Sequence, residues 1–218
     1  QPGKAWVERQ PLGVVGIISP WNYPLQLSLA PAITALAAGN RVMLKPSELT
    51  PHTSAKMGEL VAQFFAPEEF SVIEGDVAVA TQFSGLQFDH LLFTGSTAVG
   101  RRVAQAAAVH LTPTTLELGG KSPCIIAQDC DMQAAALKVA YGKLVNAGQT
   151  CIAAKRFIVQ DGIADELPHL PHARDRLRHR ASDLHLDLAE PLGKRLRHLG
   201  LDPRIVVETE HFLEQRIA

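Results

Sequence analysis

From Leu12 to Ile126 the chain alternates two kinds of segment: short β-branched apolar runs, and helix-length stretches in which apolar and polar positions mix. That alternation marks an α/β fold, a parallel sheet wound with helices. The strands it predicts are 14–18, 41–45, 70–73, 89–93 and 114–117, and the helices are 27–38, 53–65, 97–109 and 132–147. A further strand is expected at 156–160. Helix starts are marked chemically by Thr50-Pro51, Ser96 and Asp131, each offering an N-cap oxygen. Gly39-Asn40 suits a left-handed close to the first helix.

The pattern breaks after about Asp165. Six of the nine histidines lie between His169 and Ala218, and only two of the sixteen glycines do. Residues 173–182 alternate arginine with other residues, which fits neither an amphipathic helix nor a half-buried strand. One reading is a solvated, charged helix with a stripe of Leu184, Leu188, Leu192, Leu196 and Leu199. The other, which the abrupt change favours, is loss of the reading frame near Glu166. The chain opens on Gln1-Pro2-Gly3, without a methionine or a signal-like segment, as a chain cut at its front would.

Composition narrows the classes. The 218 residues are 46% hydrophobic, enough for a sizeable core, and the net charge of −1 gives no field that recruits nucleic acid or an anionic membrane surface. The longest apolar run, residues 25–38, is interrupted by Gln26, Ser28, Pro31 and Thr34, short of the roughly 20 apolar residues of a span. Cys124, Cys130 and Cys151 form no CxxC pair, so a reducing, cytoplasmic setting is expected. Cys124 and Cys130 read as structural residues.

Several segments carry candidate chemistry. Thr94-Gly95-Ser96-Thr97-Ala98-Val99-Gly100 joins a strand to a helix, so free N–H groups and a positive dipole end make a seat for phosphate; a ligand-free tight turn is the alternative. Lys45-Pro46-Ser47-Glu48 follows a strand and can hold ribose hydroxyls, or it is an exposed charged loop. Glu117-Leu118-Gly119-Gly120-Lys121 leaves a strand end, where Glu117 is either a base held by apolar neighbours or a solvated carboxylate. The two glycines let a ligand approach the backbone. Asn22, in Pro20-Trp21-Asn22-Tyr23-Pro24, is a fixed amide donor or an Asx-turn residue. Cys151, ending Gly148-Gln149-Thr150-Cys151, is a reactive thiol or a buried inert one.

Taken in chain order, Pro20-Trp21-Asn22-Tyr23-Pro24, Lys45-Pro46-Ser47-Glu48, Phe93-Thr94-Gly95-Ser96, Glu117-Leu118-Gly119-Gly120-Lys121 and Gly148-Gln149-Thr150-Cys151 resemble the signature segments of the aldehyde dehydrogenase superfamily, over roughly residues 2–166. Gly39-Asn40-Arg41-Val42 and His90-Leu91-Leu92-Phe93 are most similar to its coniferyl aldehyde dehydrogenase and class 3 branch. The resemblance implies a Rossmann-like NAD-binding domain over 1–118, the start of an α/β catalytic domain over 119–166, and an atypical Arg/His-rich tail over 167–218. It implies that Cys151 attacks the aldehyde carbonyl, that Asn22 and the Cys151 N–H hold the oxyanion, and that Glu117 activates water. Lys45 and Glu48 would bind the adenosine ribose, Ser96 beside Gly95 the diphosphate, and the backbone of Leu118 and Gly119 would lie by the nicotinamide. Trp21 is also counted among the cofactor-binding positions. Because Glu48 would repel a 2′-phosphate, the cofactor implied is NAD, with NADP second. The implied partners are a small-molecule aldehyde and, for the parent enzyme, other copies of itself.

The sequence also departs from the family. No Phe-Gly-Pro segment follows Cys151, so the catalytic domain is expected to be a stump. Two further readings stand beside aldehyde oxidation: a remnant that binds dinucleotide without turnover, and a cofactor-independent esterase built on Cys151 and Glu117.

Overall fold

A computed structural model describes residues 3–160, residue 163 and the backbone of 206–208. The readings of the tail, as a leucine-striped helix or a lost frame, fall outside the described residues apart from that short strand. The chain divides into two compact units, Gln1–Gly119 and Gly120–Ala218.

The first unit runs β1 (Val14–Ile18), α1 (Gln26–Ala37), β2 (Arg41–Lys45), α2 (Pro51–Phe64), β3 (Phe70–Val72), α3 (Val77–Ser84), β4 (His90–Gly95), α4 (Thr97–Ala108) and β5 (Thr114–Leu118). Its strands form one five-stranded sheet, β3-β2-β1-β4-β5, with every neighbouring pair parallel. Successive side chains of a strand face opposite ways, and β1 shows the result. Val15 and Ile17 pack with Ala32, Leu44 and Met57, whereas Ile18 packs with Phe83, Leu91 and Val103. The sheet therefore has a core on each face, which is why its strands read as continuous apolar runs.

β1 and β2 lie where the sequence predicts them. β4 starts one residue late, because Asp89 uses its carboxylate to accept the Val14 N–H at 2.7 Å. The sequence reading missed α3, although Asp76 caps it by accepting from the N–H groups of Ala78 and Val79. Its two valines resemble a strand more than a helix. Gly39, at φ 86°, closes α1: its N–H donates to Leu36 and that of Asn40 to Ala35, the paired bonds of a Schellman close. The Thr50 cap is corrected. Its side chain caps nothing and donates instead toward the Ser47 carbonyl, while Pro51 needs no N–H partner at the first helical position.

The second unit pairs β6 (Pro123–Ile126) with β7 (Arg156–Val159) in parallel, and β7 with β8 (Val206–Glu208) antiparallel. β6 is not among the strands the sequence pattern predicts. α5 (Met132–Leu144) connects β6 and β7, capped by Asp131 through the Ala134 N–H. Ile126, Val159 and Ile163 form its buried cluster, with Cys124 and Cys130 half-buried against them as free thiols. The expected helix over 132–147 ends three residues early, since Asn146 and Ala147 take φ of 50° and 56° inside a short 3₁₀ turn. Among the described residues no helix is long and apolar enough to cross a membrane.

Candidate active site

Because all five strands of the first unit are parallel, their carboxyl ends share one edge. The chain winds outward from β1 to β3, then returns to the other side of β1 with β4, so the strand order reverses between β1 and β4. Such a reversal opens a crevice at the carboxyl ends. Four of these ends carry residues singled out above: Trp21 and Asn22 after β1, Lys45 and Glu48 at β2, Gly95 and Ser96 at β4, and Glu117, Leu118 and Gly119 at β5.

The loop after β2 is built from inside the protein. Lys45 is 1% exposed, and its Nζ donates to the Pro46 carbonyl at 2.7 Å and faces Glu48 Oε2 at 3.5 Å. An ammonium has three donors, and these are the two acceptors it meets among the described residues. The exposed-charged-loop reading is therefore corrected for Lys45; Glu48 alone is exposed. Ser54, on the first turn of α2, anchors the loop by donating to the carbonyls of Ser47 and Thr50, both at 3.0 Å. Sequence reasoning missed it, since a serine within a predicted helix carries no visible sign of a loop contact.

At the β4 edge, Ser96 caps α4 through the Val99 N–H, at 3.3 Å. Thr97 and Ala98 are exposed, and their N–H groups meet no acceptor among the described residues. That leaves the positive helix end open to an anion. Ser96, Glu117 and Gly119 are exposed, and Trp21, Asn22, Gly95 and Leu118 are half-buried. Asn22 stands in the bend between β1 and α1.

Cys151 belongs to the second unit. It is an exposed free thiol in a turn closed by the Ala153 N–H donating to the Thr150 carbonyl at 3.1 Å. The buried reading of Cys151 is thereby overturned: three consecutive left-handed residues, Asn146, Ala147 and Gly148, end the helix before the turn that holds it. Lys143 and Lys155 flank this loop. Burial, and then the charge of Lys155, hold the Lys143 amine below the ordinary lysine range.

The profile of the aldehyde dehydrogenase family matches residues 2–186. The chain belongs to the aldehyde dehydrogenase family. Among its relatives, a coniferyl aldehyde dehydrogenase of Pseudomonas sp. (strain HR199) is 54% identical over 153 residues, 70% of this chain and 32% of that protein. A mouse "aldehyde dehydrogenase, dimeric NADP-preferring" is 45% identical over 77% of this chain and 37% of its own length. Both the coniferyl and class 3 types named from the sequence are thus among the relatives. A Mycobacterium tuberculosis aldehyde dehydrogenase solved with NAD+ superposes with a TM-score of 0.71 at 38% identity, covering 78% of this chain and 35% of that one. A substrate-bound Staphylococcus aureus enzyme gives 0.72 at 40% identity, over 78% and 37% of the two chains. The chain spans about a third of the length of the relatives it matches.

Proposed function

We propose that this chain carries the dinucleotide-binding segment and the nucleophile of an NAD-dependent aldehyde oxidation. The first unit supplies the cofactor seat, and the second begins the catalytic domain. The observation that carries the reading is Cys151, an exposed thiol in a tight turn, in a family member whose first unit gathers the remaining candidate residues along one sheet edge.

The residues present suit a dinucleotide. The open N–H groups at the start of α4 favour a diphosphate, and the buried Lys45 with the exposed Glu48 favours a diol. When bound, the nicotinamide accepts hydride from the substrate carbon. In this reading the Cys151 sulfur attacks the aldehyde carbonyl, giving a thiohemiacetal and then, once hydride has left, a thioester. Asn22 and the Cys151 N–H donate to the carbonyl oxygen while it is negative; loss of one such donor costs about 100- to 1,000-fold in rate. Glu117 takes a proton from the water that releases the acid. The Glu48 carboxylate disfavours a 2′-phosphate, so NAD is preferred and NADP second. Self-association, which the mouse relative's name attributes to that protein, belongs to the same reading.

The test mixes the purified chain with NAD and a panel of aromatic and aliphatic aldehydes, beside Cys151→Ser, and follows NADH by absorbance. NADH formation that disappears in Cys151→Ser is the expected result. A second reading, dinucleotide binding without turnover, is favoured by the location of every cofactor candidate within the first unit. It predicts bound NAD with no NADH from any aldehyde.

A further inference from the structure

Gly95 is not a glycine for reasons of backbone torsion, because its φ lies outside the left-handed region. What it accommodates is Phe93, two residues upstream on β4 and 4% exposed. A methyl at Gly95 would come within 2.5 Å of Phe93 Cζ, with Cε1 and Cε2 at 3.1 and 3.3 Å. One turn into α4, a methyl at Gly100 would meet Phe93 Cε1 at 3.4 Å and Leu118 Cδ2 at 2.7 Å. The ring cannot swing aside freely, because it is packed in one cluster with Ile18, Phe88, Leu91 and Val103. Its rim therefore supports both the turn that holds Gly95 and Ser96 and the first turn of α4, whose open N–H groups face outward.

We infer that Phe93 is a positioning residue for the diphosphate of the dinucleotide: its buried ring sets the height of the Gly95-Ser96 turn and of the α4 N-terminus through two glycines. The inference rests on the dinucleotide reading above. It adds a residue that touches no ligand and yet fixes where the donors stand. A ring that only filled the core would affect stability and leave phosphate recognition untouched.

The test is calorimetric titration of the full chain with ADP and with adenosine, for the wild type, Phe93→Leu, Gly95→Ala and the double variant, with thermal melts alongside. Phe93→Leu withdraws the supporting rim, so ADP affinity falls about tenfold while adenosine affinity changes by less than about twofold. Gly95→Ala collides with the ring and gives a similar loss of ADP affinity. In the double variant the added methyl occupies the space the ring vacated, and ADP affinity returns to within about threefold of wild type. Unchanged ADP affinity in Phe93→Leu, parallel losses for ADP and adenosine, or a double variant weaker than either single one would overturn the inference alone. A wild-type chain that binds no ADP would overturn the dinucleotide reading with it. If Gly95→Ala does not fold, the ADP-to-adenosine contrast in Phe93→Leu decides.

Discussion

The two units of this chain solve the same problem with unequal means. The first winds helices over both faces of a five-stranded sheet, and its two clusters bury Ile17, Leu44, Met57 and Leu91 almost completely. The second sets one described helix against three strands. Its buried cluster among the described residues is Ile126, Val159 and Ile163. A sheet buried on both faces needs nothing further to hold its strands in place. Among the described residues, the second unit carries the proposed nucleophile on a smaller buried cluster, and smaller clusters open locally at lower cost.

The comparison breaks first in the cores. Leu91→Ala should cost about 2–5 kcal/mol, because the site is enclosed and cannot collapse. Ile126→Ala should fall at or below the low end of that range. Denaturant unfolding that gave equal losses would show the two cores to be equivalent. The helix caps give a smaller and sharper measure. Asp76→Ala and Asp131→Ala each remove one cap and should cost about 1 kcal/mol. Thr50→Ala should cost less, since Thr50 makes no cap bond; a Thr50→Ala loss equal to the others would restore the cap that the geometry denies.

The smallest effect belongs to a titration in the first unit. Burial lowers the His90 pKa below its ordinary 6.5, and its Nε2 lies 2.9 Å from Thr115 Oγ1. The unfolded chain therefore takes up this proton at a higher pH than the folded one does. Stability is fully present above about 6.5 and declines as pH falls from there to the lower folded value. Urea midpoints measured across that window should drop on acidification in the wild type and drop less in His90→Gln. An identical slope in both would remove His90 from the account.

The same contrast explains what could be read in advance. In the first unit the apolar runs of β1 and β2 are long, continuous and bracketed by turn residues, so their limits were legible to the residue. The α3 helix was not, because Val77 and Val79 look like strand residues and only the Asp76 cap reveals a helix. In the second unit 146–148 defeated the pattern: Asn146 and Ala147 continue a helical sequence but adopt left-handed torsions that nothing in their chemistry demands. The order of the site segments was plain in the sequence. The burial of Lys45, the exposure of Cys151 and the support under Gly95 depend on how the folded chain packs around them, and no periodicity displays that.

A parallel sheet with its candidate residues gathered at one rim leaves the opposite rim free of them. The turns there, such as the one at Leu111, 87% exposed with φ 56°, return the chain to the next strand and carry none of the candidate residues. Such a layout separates two kinds of inheritance. Changes in the length or stiffness of the return turns leave the candidate rim as it stands. Such a fold has room to vary at one rim without disturbing the chemistry proposed for the other.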